Sequence, residues 1–306
     1  MNEKKYNSQC PVVSIIVPVR NGKKTIVKLL AALLAQDYPQ SHTEIIIVDN
    51  GSQDKTREIV KKYPVVLENE NSVKSSYAAR NKGLSIAKGA IIAFTDADCI
   101  PEKNWISEGV RALIEANADM AGGSITFILS AQPSAAEYFN SLNDLRNDYY
   151  IHNKIGAVTA NLFVKANLFS KIGLFPEVQS GGDTTWTGKA LSNGFSLVYV
   201  PEAVVYHPTG KFVGILRRSW FRGTGIFLAF KQRSWWFIKL LYLIIRCMIP
   251  IPSKIILKSI ISAKSNSEIR KKHLAICGIS YLCQISVLVG LVYSIFKMIF
   301  ETKSTS

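Results

Sequence analysis

The chain of 306 residues is 48% hydrophobic and 19% charged, enough for one large α/β domain with an appendage, and it contains no internal repeat or low-complexity tract. Its five cysteines (Cys10, Cys99, Cys247, Cys277, Cys283) have neither disulfide nor metal-site spacing, which excludes a disulfide-stapled scaffold and suits a reducing cytosol. The formal net charge of +15 is unevenly divided: residues 1–210 hold 21 basic and 20 acidic side chains, residues 211–306 hold 16 and 2.

The N-terminus is polar and lacks an apolar h-region, so no signal peptide is expected. Val12–Val17 reads as a strand stopped by Pro18, and Arg20–Asn21–Gly22 as a turn. A helix comes next, with Ile26, Leu29, Leu30, Leu33 and Leu34 at helical spacing, and Tyr38–Pro39 ends it. Glu44–Val48 is a second strand, closing in Asp49–Asn50–Gly51–Ser52, and Asp54 starts another helix. The next helix, Tyr77–Lys88, contains Ala79–Arg80–Asn81–Lys82–Gly83. The apolar run Ala90–Phe94 then leads into Thr95–Asp96–Ala97–Asp98. This alternation implies right-handed crossovers and a parallel sheet, hence an α/β fold. In such sheets ligands bind outside the carboxyl ends of the strands, which places Asp49 and Asp98 at one edge within reach of one ligand. Carboxylates there can hold a hard divalent cation that neutralises a diphosphate. The bland alternative for Asp96 and Asp98 is a helix N-cap with a spare solvated Asp, since Pro101 and Trp105 begin a helix soon after.

Four strings in register, Val17–Pro18–Val19–Arg20–Asn21, Ile47–Val48–Asp49–Asn50–Gly51–Ser52, Ala79–Arg80–Asn81–Lys82–Gly83 and Thr95–Asp96–Ala97–Asp98, resemble those of the family-two inverting glycosyltransferases. The resemblance covers roughly residues 11 to 230 and implies the GT-A fold, a Rossmann-like, mostly parallel sheet flanked by helices. Phe163 to Phe175 is similar to the family's helix before a Gly-x-Phe turn. Gly181–Gly182–Asp183 falls where the family often has an acidic pair; here Gly182 replaces the first acid.

The resemblance also implies roles. Asp183 would be the base that deprotonates an acceptor hydroxyl; its alternative is an ordinary N-cap. Asp49 would hydrogen-bond the nucleotide base, or else serve only the turn Asp–Asn–Gly–Ser. Arg80 would face the nucleotide or its phosphates, or else be a solvated helix charge. Pro18, with Arg20 and Asn21 nearby, would shape the base pocket. Asp96 would contact the ribose or orient the metal, and Asp98 would ligate Mg²⁺ or Mn²⁺ directly. His207 closes Leu197–Tyr206, which reads as two short strands around a Pro201–Glu202 turn; family members often carry a His here, so it joins the metal set, with a structural His as the alternative. An acceptor lobe is expected over Gly122–Asn161, where Tyr138, Phe139, Tyr149 and Tyr150 offer aromatic faces or simple packing.

The basic tail is also apolar, which argues against nucleic acid as its partner. No charged residue occurs from Leu274 to Phe296, a run able to cross a hydrocarbon core of about 30 Å. Trp235–Ile251 is apolar too, but Lys239, Arg246 and Pro250 interrupt it. A second span would translocate Lys254, Lys258, Lys264, Arg270, Lys271 and Lys272, against the positive-inside rule. An interfacial helix at about 235–257 is preferred, with Trp220, Trp235 and Trp236 at headgroup depth and basic side chains on anionic lipid. Residues 1–232 are thus expected to form the catalytic domain and 233–306 a membrane-associated region with one span at about 274–297. The sequence implies an inverting transferase on the cytoplasmic face of the cell membrane, with its C-terminus outside. It would move a sugar from a nucleotide-diphospho-sugar to a lipid-linked or polysaccharide acceptor. A nucleotidyltransferase and an inactive membrane scaffold are the rival readings.

Overall fold

The computed structural model describes residues 10–231 and 266–303, with isolated positions between 241 and 261. The interfacial helix expected at 235–257, with Trp235 and Trp236, therefore lies outside the described residues apart from those positions. The chain forms two compact units: Met1–Phe127, Leu145–Val178 and Gly182–Pro208 make the first, and Ile128–Asp144, Gln179–Gly181 and Thr209–Ser306 the second.

The first unit is built on β1 (Val13–Val19), α1 (Ile26–Leu34), β2 (Thr43–Asp49), α2 (Thr56–Val60), β3 (Val66–Asn69), α3 (Ser76–Leu84), β4 (Ile91–Thr95), β5 (Ile100–Pro101), α4 (Trp105–Glu115) and β6 (Met120–Ile128). The strands form one sheet in the order β3-β2-β1-β4-β7-β6-β8-β5, in which β7 is Asn161–Lys165 and β8 is Leu197–Pro208. Its N-terminal half is parallel, as the β-α-β order requires: β1 pairs β2 and β4, and β2 pairs β3. Its other half is antiparallel, through β4 with β7, β6 with β7 and β5 with β8. The sheet is therefore mixed. Apolar side chains of β1 are buried on both faces, Val13, Ile15 and Val17 in one core cluster and Ile16 in the other.

Several local expectations need correction. Pro18 lies inside β1 and does not stop it. Its missing N–H is tolerated because β4 pairs β1 only as far as Ile16, so no ladder partner is lost there. Val66–Asn69 is a strand that the sequence did not announce, because only its pairing with β2 selects it. Leu197–Pro208 is one strand and not two, since Pro201 and Glu202 sit exposed along it. Phe163 belongs to β7, and the helix before the Gly173 turn is short, α7 (Leu168–Ile172).

Two close fits fix the elements that carry the site. Gly83 in α3 lies against Ile16 of β1; a Cβ there would stand 2.5 Å from Ile16 Cγ2. Asn161, fully buried on β7, donates from Nδ2 to the carbonyls of Ser124 and Ala203 (2.8 Å each) and accepts from Trp105 Nε1 (2.8 Å), so one side chain joins three elements.

The second unit contains α5 (Ala135–Asn143), α9 (Phe212–Lys231) and α10 (Ser267–Lys303), numbered after α6 (Asn147–His152) and α8 (Gly182–Ser192) of the first. Ser134 and Glu137 form a capping box at the start of α5. The Glu137 carboxylate accepts from the backbone and hydroxyl groups of both Ser130 and Ser134, and the backbone bonds foremost hold its pKa down to about 2. Tyr138 and Phe139 are buried with Ile215, Ile269 and Ile276 in the core of this unit. Of the two roles open to these rings, sugar stacking or packing, the structure gives them packing.

Helix α9 runs along α10. Ser286 Oγ donates to the Leu216 carbonyl (2.8 Å), the Trp220 and Tyr293 rings lie 5.5 Å apart, and Gly223 and Gly290 let the two backbones approach. The outer face of α10 is apolar, exposing Leu274, Leu282, Val289, Tyr293 and Phe296. The outer face of α9 carries Arg217, Arg218 and Arg222, the last two paired with the buried Asp144 at 3.6 and 3.3 Å. Among the described residues one helix, Ser267–Lys297, is long and apolar enough to cross a membrane.

Candidate active site

The parallel register brings the carboxyl ends of β1, β2 and β4 to one edge, with Val19 beside Asp49. Asp49 is 1% exposed. Its Oδ2 accepts from the Ser52 N–H (3.0 Å), as a turn Asp does, but its Oδ1 is buried without a partner among the described residues. A carboxylate oxygen is not left that way without cost, so this edge presents an acceptor to an incoming N–H donor. The surrounding loops are cross-braced. Asn50 Nδ2 donates to the Glu70 and Val73 carbonyls (2.8 Å each). Asn21, at φ 55°, accepts from the Gln53 N–H on Oδ1 and donates its own N–H to Ser52 Oγ, both at 2.8 Å. Pro18 is half-buried and Arg20 exposed at the same rim.

Arg80 is not a solvated helix charge: it is 3% exposed. Its guanidinium pairs with Asp96 Oδ1 at 2.5 Å and lies 5.4 Å from the centroid of the Tyr77 ring, while its Nε is buried without a partner among the described residues. Asp98, with its side chain 42% exposed, faces His207 Nε2 at 3.5 Å. His207 Nδ1 lies 2.7 Å from the Pro208 carbonyl, which can only accept, so Nδ1 carries a proton; in the neutral ring Nε2 then turns a lone pair towards Asp98. In that neutral form two acceptors face each other, an arrangement that a cation between them would complete. Ligand atoms of Asp96, Asp98, Cys99 and His207 all lie within 4.8 Å of one another, and the carboxylate-and-imidazole part of this set fits a hard divalent ion. Cys99 is fully buried, and burial, with Asp96 and Asp98 adding to it, pushes its thiol well above the ordinary range.

Asp183 opens α8 and is 9% exposed. Oδ1 accepts from the Tyr77 hydroxyl (3.0 Å) and the Thr184 N–H (2.9 Å); Oδ2 accepts from the Thr159 N–H (3.1 Å) and hydroxyl (3.3 Å). Neither Tyr77 nor Thr159 was marked by the sequence, because neither belongs to a charged string. Tyr77 joins the two halves of the site: contacts run from Asp183 through the Tyr77 ring to Arg80 and on to Asp96.

The description "Glycosyl transferase family 2" matches residues 14–171, more than half of the chain. The chain belongs to glycosyltransferase family 2. It is 37% identical to glycosyltransferase AglE of Haloferax volcanii over 224 residues, 71% of this chain and 74% of that protein. It is 32% identical to the poly(ribitol-phosphate) beta-N-acetylglucosaminyltransferase TarS of Staphylococcus aureus over 116 residues, but those span only 35% of this chain and 20% of TarS. Mannosyltransferase PcManGT from Pyrobaculum calidifontis, solved with GDP-Man and Mn²⁺, superposes with a TM-score of 0.66 at 17% identity, covering 95% of this chain and 88% of that one. S. aureus TarS 1-349 in complex with UDP-GlcNAc gives 0.54 at 20% identity, covering 69% and 66%. These likenesses identify the fold as GT-A. This family-two protein is a glycosyltransferase that uses a nucleotide-sugar, and its long C-terminal apolar helix is a candidate anchor.

Proposed function

We propose that the protein is an inverting, metal-assisted glycosyltransferase working at the cytoplasmic face of the cell membrane. The continuous line of contacts from Asp183 to Asp96 carries this reading, because it joins a buried base to the metal-binding edge. The donor is a nucleotide-diphospho-sugar, as in the solved complexes of PcManGT and TarS. Asp49 Oδ1 accepts from the nucleotide base in a pocket rimmed by Pro18, Arg20 and Asn21. Asp96, held by Arg80, faces the ribose. Asp98, with Asp96 and His207, would hold Mg²⁺ or Mn²⁺, which supplies positive charge beside the departing diphosphate. Asp183 takes the proton of the acceptor hydroxyl as its oxygen bonds to the anomeric carbon. The bond from that carbon to the diphosphate breaks, and its electron pair leaves with the nucleotide. A panel of nucleotide-sugars, assayed for nucleoside diphosphate release with and without chelator, tests this; full activity in excess chelator overturns the metal assignment.

The acceptor is a lipid-linked or polysaccharide hydroxyl, supported by the apolar tail that would keep the enzyme at a bilayer. Residues 1–232 are assigned to catalysis and 233–306 to the membrane. The uncharged run Leu274–Phe296 favours one span with Ser306 outside. A second reading rests on a specific observation. Arg217, Arg218 and Arg222 of α9 lie beside the Ser286–Tyr293 part of that run, where a span would carry them into hydrocarbon. Those arginines favour α9 and α10 lying in the interface, apolar face down. Reporters fused after Ser306 separate the two: activity only of one that works outside the cytoplasm supports the span, and activity only of a cytoplasmic one supports the interfacial pair.

A further inference from the structure

Gly182 stands where the family resemblance leads one to expect an acid, and its backbone gives no reason for glycine. Its φ is not among the positive values, unlike that of its neighbour Gly181 at 76°. The reason is space. A Cβ on residue 182 would lie 2.9 Å from Cδ2 and Cε2 of the Tyr77 ring and 3.0 Å from the Pro176 carbonyl oxygen. The ring cannot easily move aside. Tyr77 is 6% exposed, its N–H donates to the Ser75 N-cap hydroxyl (3.2 Å), and its ring lies 6.0 Å from that of Phe175 with the Arg80 guanidinium at 5.4 Å.

We propose that Tyr77 is a positioning residue for Asp183, and that glycine at 182 is the space this tyrosine requires. The inference rests on Asp183 being the base. A carboxylate has about four acceptor sites, and here four protein donors use them. The Tyr77 and Thr184 donors lock Oδ1. On Oδ2 the Thr159 hydroxyl makes the longest of the four bonds, 3.3 Å, and a hydroxyl can rotate away. Oδ2 is therefore the oxygen that receives the acceptor's proton, and Tyr77 keeps it aimed. The phenol remains the donor in this pair: burial first, and then the charge of Asp183, push its pKa far above the ordinary value. Among the described residues, the charged and titratable groups facing this carboxylate are Tyr77 and, across its ring, Arg80 with Asp96. A structural tyrosine would need only its ring; a positioning tyrosine needs its hydroxyl.

Tyr77→Phe keeps the ring and removes the hydroxyl. Its kcat for transfer should fall roughly tenfold to a hundredfold, the scale of one lost hydrogen bond to a charged group. Donor KM and nucleotide affinity should not change, and the acid limb of the pH–rate profile should move to higher pH. A variant with kcat within about twofold of wild type and an unmoved acid limb overturns the positioning role. The spatial half has a readout that needs no activity. Gly182→Ala should lower Tm in the wild-type background and cost much less when combined with Tyr77→Ser. Equal losses in both backgrounds overturn the claim that the ring dictates glycine. Asp183→Asn, assayed alongside, separates the two hypotheses: if it still transfers, the base reading has failed, while the Gly182–Tyr77 coupling stands or falls on the Tm values.

Discussion

Asp98 and Asp183 are the two carboxylates that the proposed transfer depends on most, and their surroundings are opposite. Asp98 is 42% exposed at the side chain and looks across 3.5 Å at His207 Nε2. Asp183 is almost buried and accepts four protein hydrogen bonds. The first arrangement is electrostatically incomplete and is finished by what binds there. The second is complete in itself, and its geometry is set before any substrate arrives. Under the proposed function, the first would be a donor-side group completed by a cation and the second an acceptor-side group held ready to take a proton.

Breaking the incomplete side should cost most. Asp98→Ala is expected to lower turnover on the order of a thousandfold and to weaken donor binding only when Mg²⁺ or Mn²⁺ is present. Titrating donor affinity against metal concentration checks it; equal loss with chelator would mean that Asp98 touches the nucleotide and not the metal. On the complete side, Asp183→Asn should lower single-turnover transfer by roughly a hundredfold to a thousandfold. Calorimetric nucleotide affinity should stay within about twofold of wild type. Transfer at a tenth of the normal rate would reduce Asp183 to a helix cap.

Smaller effects sharpen the division. Arg80→Ala should weaken all nucleotides alike by about tenfold, because it frees Asp96. Asp49→Ala should instead relax discrimination between bases, by about tenfold at most. Competition binding with four nucleoside diphosphates distinguishes them, and parallel selectivity profiles would refute the split. The smallest effect concerns Glu137, which has four donors like Asp183 but lies in the other unit. Its pKa is depressed to about 2, so its contribution is fully present above the ordinary value of 4.5 and is lost as pH falls towards 2. Glu137→Gln should lower Tm slightly at pH 7 and not at pH 2. An unchanged difference between the two pH values would show that the bonds to Ser130 and Ser134 add nothing.

That Asp49, Asp96 and Asp98 gather at one sheet edge was legible in the sequence because each comes after an apolar strand: Asp49 after Glu44–Val48, and Asp96 and Asp98 after Ala90–Phe94. Asp183 was legible only through a resemblance. The groups that hold it were not, since Tyr77 and Thr159 are 106 and 24 residues away along the chain. The edge strand Val66–Asn69 escaped for a similar reason: its side chains are exposed or half-exposed, its apolar run is only Val65–Val66–Leu67, and pairing with β2 makes it a strand. For Tyr138 and Phe139 the sequence left sugar stacking and packing both open, because composition does not say which face of a helix is covered, and the structure selects packing. Pro18 was misplaced as a strand end because sequence does not reveal where a neighbouring strand stops.

Gly83 gives the site an unexpected genetics. It is the point where α3 rests on Ile16, with no room for a methyl group. The same helix carries Tyr77 and Arg80, which we assign to opposite sides of the reaction. Gly83→Ala would lift the whole helix at a cost of about 1–3 kcal/mol, small enough to leave the chain folded in the cold. Random mutagenesis should therefore recover temperature-sensitive alleles at a residue that touches no substrate, each impairing nucleotide affinity and proton transfer together.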